Sequence, residues 1–148
     1  MIIPVYGHDD IVAGFVARLI FPGGGGFGNR KTIGFVRGEE LVAGFVYHNW
    51  NPDAEIIEVS GASLVRDWAT KDVVRTIFGY PFDQLKCQAV VARHSEFNAR
   101  VRRIWRALGA KEYVIPRLRG RDEAEAVAVL TAEAWRNSRF ARGAKHGQ

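Results

Sequence analysis

Ile33-Gly34-Phe35-Val36-Arg37-Gly38-Glu39-Glu40-Leu41-Val42-Ala43-Gly44-Phe45-Val46 decides how the rest of the chain is read. Two apolar, β-prone runs flank the short polar segment Gly38-Glu39-Glu40. That pattern predicts a β-hairpin, with strands over residues 32–37 and 41–47.

On the N-terminal side, Ile11, Val12, Phe15, Val16, Leu19 and Ile20 recur at spacings of three and four. This is one face of a helix, with Asp9 or Asp10 as its expected cap. Pro22 and the run Gly23-Gly24-Gly25-Gly26 stop it. No Gly-Lys-Ser/Thr follows those glycines, and they do not join a strand to a helix, so they read as a flexible connector rather than a phosphate loop.

On the C-terminal side, Asn49-Trp50-Asn51-Pro52-Asp53 has loop composition. Residues 54–60 read as a third strand, with Ile56, Ile57 and Val59 apolar and Glu55 and Glu58 between them. A helix is expected over 69–78 on the face Val73, Val74, Ile77 and Phe78, ended by Gly79-Tyr80-Pro81. Residues 88–92 form a short apolar strand. Ser95 is the expected cap of a helix over 96–108, with Phe97, Val101, Ile104, Trp105 and Leu108 as its stripe, its arginines outward and Gly109 as its C-cap. Strands over 112–115 and 124–132 complete the order. The chain is thus an α+β single domain over residues 1–136, with a basic tail over 137–148 expected to be disordered.

A length of 148 residues suits one domain, and 47% hydrophobic with 25% charged residues is ordinary globular composition. The lone Cys87 excludes an intramolecular disulfide. His8, His48, His94 and His146 show no ligand spacing, so no metal site is expected. No basic segment followed by a long apolar run opens the sequence, and no apolar stretch approaches the roughly 20 residues that span a bilayer. The expected location is the cytoplasm. The net charge of +5 favours anionic partners. It is concentrated at Arg100, Arg102, Arg103 and Arg106, at Arg117, Arg119 and Arg121, and at Arg136, Arg139, Arg142 and Lys145. A solvated helix face with a soluble tail explains these clusters as well as a binding patch does.

The element order resembles the GNAT superfamily of acetyl-CoA-dependent N-acyltransferases. The opening hairpin matches its early hairpin, and Arg66-Asp67-Trp68-Ala69-Thr70-Lys71 lies where the family places its pyrophosphate loop. Asn98 through Ala110 resembles the helix where the family often has an Asn, then a Tyr at the place of Trp105, then Gly-Phe at Gly109-Ala110. Trp68, Gly79-Tyr80-Pro81-Phe82 and Trp135 also look like small acyltransferase-like proteins of tailed phages. The resemblance implies a mixed, splayed β-sheet flanked by helices on both faces, with the cofactor wedged between two central strands.

It further implies acetyl-CoA as co-substrate and direct attack by an amine on the thioester; the acceptor is open, a small molecule or a protein, and the protein is expected as monomer or homodimer. The backbone of Val59, Ser60 and Gly61 would pair with the pantetheine arm, and Asn98 would contact the same arm; an N-terminal-turn residue satisfied by local backbone is the equal alternative for Asn98. Residues Arg66, Asp67, Trp68, Ala69, Thr70 and Lys71 would hold the pyrophosphate. The loop departs from the family's Gln/Arg-x-x-Gly-x-Gly/Ala in either register, since Asp67 or Ala69 replaces its first glycine. Arg66 and Lys71 supply charge in compensation; an ordinary helix start capped by Asp67 or Ser63 is the plainer alternative. Trp105, also placed near the cofactor, has an indole donor that is no acid near neutral pH, so packing is its favoured role. Glu58 and His48 are the candidate bases. Buried, unreactive Cys87 is favoured over a nucleophile. Two other readings stand beside the enzyme. One is a catalytically degenerate GNAT-fold binding module. The other is a nucleic-acid binder using Arg100, Arg103, Arg106 and the tail.

Overall fold

The computed structural model describes residues 1–142. A seven-stranded mixed sheet runs through it in the order β1-β2-β3-β4-β5-β7-β6. The strands are β1 (Ile2–Val5), β2 (Arg30–Arg37), β3 (Glu40–Asn51), β4 (Ile56–Ser63), β5 (Ala89–Ser95), β6 (Lys111–Gly120) and β7 (Glu123–Thr131). The helices are α1 (Asp9–Ile20), α2 (Lys71–Gly79), α3 (Ala99–Leu108), α4 (Ala132–Asn137) and α5 (Arg139–Arg142). The expected α+β domain with helices on both sheet faces is what the chain builds.

The β2–β3 hairpin pairs Arg37 with Glu40, and Gly38 takes φ +62° in its turn, where a side chain would be strained. α1 covers one face of β2, β3 and β4. Its buried residues are Val12, Ala13, Phe15 and Val16, while Ile11 and Leu19 stay exposed. The helix lies so close that a Cβ on Gly44 would meet Val12 and Val16 methyls at 2.9 Å. Its N-cap is His8, without a side-chain bond. The expected capping aspartates serve the sheet instead. The Asp9 carboxylate accepts from the Thr32 N–H and hydroxyl at 3.0 and 2.8 Å, and Asp10 pairs with Arg30.

The other face carries α2, α3, α4 and α5 over one core that includes Phe35, Phe45, Tyr47, Ile57, Val59 and Leu130. At its centre Phe78 meets Trp105 and Trp135 with ring centroids 5.5 and 5.1 Å apart. Thr70 caps α2, accepting from the Val73 N–H at 3.3 Å; Asp67 and Ser63 do not. Gly79-Tyr80-Pro81 does not end the coil either. A π-helical turn at Tyr80–Gln84 follows α2 directly, because Pro81 sits in a first turn where its missing N–H costs nothing. α3 begins three residues later than Ser95 would place it, with Asn98 as cap and Gly109 at φ +99° as C-cap. Phe97 therefore falls outside the helix and is 70% exposed.

The strands differ from expectation mainly in length. β3 continues through Asn49, Trp50 and Asn51, expected as loop, with Asn49 at φ +53° and a register shift between His48 and Asn51. β1, a short edge strand containing Pro4, was not anticipated. Residues 137–142, expected as tail, hold the end of α4 and all of α5, which packs Phe140 and Ala141 against the core. Lys145 and His146 lie outside the described residues.

Candidate functional site

β4 and β5 run parallel, but they pair only at Ile56↔Ala89, Ile57↔Val90 and Glu58↔Val91. Beyond Glu58, β4 continues to Ser63 paired with β3 alone. Beyond Val91, β5 continues to Ser95 paired with β7 alone. The two central strands thus splay into a wedge. On its β4 side, Val59, Ser60 and Gly61 turn a backbone edge without a strand partner toward the gap. Peptide groups in that state offer hydrogen bonds to an extended ligand. Gly61 is fixed by packing, because a Cβ there would meet the Phe45 ring at 2.4 Å.

Both strands deliver their next segments to the same carboxyl end. After β4, the Ser63 hydroxyl donates to the Val65 carbonyl at 2.7 Å and accepts from its N–H at 3.0 Å, turning the chain toward α2. The Asp67 carboxylate is held by Arg37 at 2.9 Å, and this hydrogen bond is the main cause that lowers its pKa. Trp68 is half-buried on Phe45, ring centroids 5.2 Å apart. The Arg66 carbonyl accepts from Arg100 of α3 at 3.0 Å, so α3 is tied across the wedge mouth to the loop. The first turn of α2, which holds Lys71 and Asp72 and is capped at the Val73 N–H by Thr70, leads away from that loop with its dipole favourable for anions. Asn98 caps α3 through Oδ1, which accepts from the Val101 N–H at 3.2 Å.

At the apex, on the α1 face, three polar side chains meet. His48 on β3 stands opposite Glu58 on β4. His48 Nε2 lies 2.9 Å from Ser60 Oγ and 3.8 Å from Glu58 Oε2. Glu58 Oε1 accepts from Asn49 Nδ2 at 3.0 Å, and the Phe27 ring packs edge-on against His48 at 4.9 Å. The side chains of His48 and Glu58 are only 11% and 16% exposed. Burial pushes the His48 pKa below its ordinary value, and Glu58 partly offsets this. The imidazole is therefore neutral at neutral pH and has an anion beside it for the moment it takes a proton. A cleft of about 610 Å³ borders His48, lined also by Asn29, Arg30, Lys31 and Trp50.

A scan against protein-family profiles matches none, and no curated protein matches in sequence. Solved structures match in shape. A spermidine/spermine N-acetyltransferase from Vibrio cholerae superposes with a TM-score of 0.74 at 8% identity, covering 93% of this chain and 98% of that one. A GCN5-related N-acetyltransferase from Brucella melitensis gives 0.63 at 12%, covering 80% and 57%. A T. thermophilus protein described as an acetyltransferase gives 0.65 at 17%, covering 80% and 66%. The fold is that of the GNAT acetyltransferases. This chain spans less than two thirds of the length of the latter two structures and nearly all of the first.

Within the GNAT fold, the residues expected at the site fall into three places. His48, Glu58, Val59, Ser60 and Gly61 gather at the wedge apex. Arg66, Asp67, Trp68, Ala69, Thr70, Lys71 and Asn98 gather at its mouth, with Ala69 and Lys71 exposed. Trp105 is apart from both, buried on α3 against Phe78. Cys87 is buried, and burial raises its thiol pKa. Sequence reasoning missed Arg37, Asn49 and Phe27, and named Arg100 only within a basic cluster or nucleic-acid patch. Arg100 was read as one of several outward arginines, and nothing in its spacing separates it from Arg103. Arg37 closes a hairpin in sequence and reaches Asp67 only through the sheet. The arginine clusters are partly consumed by structure, since Arg102 and Arg106 both hold Glu112, and Arg93 and Arg119 both hold Glu125.

Proposed function

We propose that this chain transfers an acetyl group from acetyl-CoA to an amine by direct attack on the thioester. The observation that carries this reading is the wedge. Val59, Ser60 and Gly61 offer an unpaired edge to a pantetheine arm, and the mouth beyond them supplies Arg66, Lys71, Arg100 and the start of α2 to a pyrophosphate. The loop lacks glycine but keeps its charge balance, because Arg37 neutralises the one carboxylate within it. An N–H on the free edge polarises the carbonyl. The amine enters from the cleft beside His48, which takes its proton, with Glu58 stabilising the imidazolium that forms.

Calorimetric titration with acetyl-CoA tests the reading. Saturable binding is expected, and folded protein that gives no heat would remove the reading. The charged groups around His48 are Glu58 on β4 and, on β2, its register partner Arg30, which is tied to Asp10 of α1. Because His48 acts neutral and its pKa is depressed, kcat/KM with an acceptor that is unprotonated in this range, such as hydroxylamine, rises as pH climbs through a value below the ordinary one and is flat at neutral pH. Glu58→Gln removes the influence that raises this pKa, so the acid limb moves to lower pH. An unmoved limb in that variant argues against His48 as the base.

One observation favours the binding-module reading as a second possibility: Trp105 occupies the place of the family's acid and is packed in the core. Binding of acetyl-CoA without turnover on any amine is its signature. Nucleic-acid binding predicts instead a steep loss of affinity with salt.

A further inference from the structure

If the wedge carries out acetyl transfer, the reaction leaves a thiolate that must be protonated, and Trp105 cannot do it. Several hydroxyls lie near the wedge. Ser63 is bonded in its own turn to Val65. Thr70 and Ser95 cap backbone N–H groups of Val73 and Phe97 and, among the described residues, are bonded to no titratable side chain that could resupply a proton. The Tyr47 hydroxyl donates to the Ile77 carbonyl on the opposite face. Ser60 differs from all of these. It lies on the free edge of β4, two residues past the last β4–β5 pair, and its hydroxyl meets a titratable side chain, His48 Nε2 at 2.9 Å.

We propose that the Ser60 hydroxyl is the proton donor to the departing CoA thiolate and that His48 replenishes it. This rests on the acetyl-transfer reading and assigns that site the acid it otherwise lacks. In the attack step the amine nitrogen bonds to the thioester carbonyl carbon, and the amine proton passes to His48 Nε2. In the collapse step the C–S bond breaks with its electron pair on sulfur. The Ser60 O–H proton moves to that sulfur, and the Nε2 proton moves to the Ser60 oxygen. The products are an amide and free CoA thiol, with Ser60 and neutral His48 restored. One imidazole thus serves as base to the amine and as proton source for the acid. Glu58, 3.8 Å from Nε2, stabilises the imidazolium between the steps.

The test compares two acetyl donors with hydroxylamine as the acceptor, a nucleophile already unprotonated at neutral pH. The donors are acetyl-CoA and an acetyl thioester of an aryl thiol that is a stable thiolate at neutral pH. Rates are taken above the uncatalysed background, and acetyl-CoA binding is titrated for every variant. Ser60→Ala is expected to lower the catalysed rate with acetyl-CoA by about 100-fold, the size of a lost general acid. Its affinity for acetyl-CoA is unchanged. With the aryl thioester, whose leaving group needs no proton, the loss shrinks to a few-fold. Ser60→Thr keeps the hydroxyl and recovers most of the rate. An equal loss with both donors, or no loss with acetyl-CoA, overturns the relay while leaving acetyl transfer standing. Bound acetyl-CoA with no catalysed transfer by the unmodified protein also overturns it. Absence of acetyl-CoA binding overturns acetyl transfer itself, and the relay with it.

Discussion

The two halves of the sheet, divided by the wedge, are held together by different physics. β1 to β4 is held by close apolar contact beneath α1. Gly34 and Gly44, partners across β2 and β3, leave room for Val12 and Val16, and side chains there would collide with them. β5, β7 and β6 share the core of the other face through Val90, Ala92, Ala128 and Leu130, and add two clusters of ion pairs. Glu112 on β6 receives Arg102 and Arg106 of α3, and buried Glu125 on β7 receives Arg93 and Arg119. The first half is sensitive to volume and the second to charge. The site lies on the seam and draws on both. His48, Glu58 and Ser60 come from the apolar half, and Arg100 and Asn98 come from the α3 side.

The comparison is broken most severely at Gly44. Gly44→Val forces methyls into Val12 and Val16, and the loss of stability is about 3 kcal/mol or more, read from chemical denaturation. A stability within error of the parent would show that α1 is not closely packed.

On the other half, Glu112→Gln keeps the shape and removes the charge. The expected loss is about 1–2 kcal/mol, since the pair is partly exposed. Arg102 and Arg106 hold the Glu112 pKa down to about 2. Its contribution is therefore complete above the ordinary carboxyl value and is lost as pH falls toward 2. In Glu112→Gln that portion of the acid dependence disappears, whereas Gly44→Val leaves it in place. Denaturation curves repeated across the acid range check both.

The smallest effect is at Arg37→Gln. The Arg37–Asp67 pair is exposed, so the melting temperature barely moves. Acetyl-CoA binding is expected to weaken by a few-fold, because Asp67 is left uncompensated in the loop. Unchanged affinity would place the pyrophosphate away from Asp67.

The sequence carried the parts of this architecture that are local. The hairpin at Gly38, the cap at Gly109 and the apolar face of α2 are written in neighbouring residues. Of the two readings of Asn98, a ligand contact or a helix-start residue bonded to local backbone, the second is seen, since its Oδ1 caps α3. β1 escaped because four edge residues containing a proline carry no periodic signal. The extension of β3 escaped because Asn49-Trp50-Asn51 has loop composition, and its strand state rests on the pairing of Asn51 with Ile56 of β4. Glu58 and His48 were legible as titratable residues near a strand end. The contact of Ser60 with His48 was not, because it depends on the register of β3 against β4.

The proposed acetyl transfer requires acetyl-CoA to occupy the wedge between β4 and β5. Amide hydrogen exchange with and without acetyl-CoA tests it most directly. Slowed exchange is predicted at Val59, Ser60 and Gly61, through Trp68 to Lys71, and at the start of α3 after Asn98. Unchanged exchange in those segments, with protection elsewhere on the surface, would contradict it.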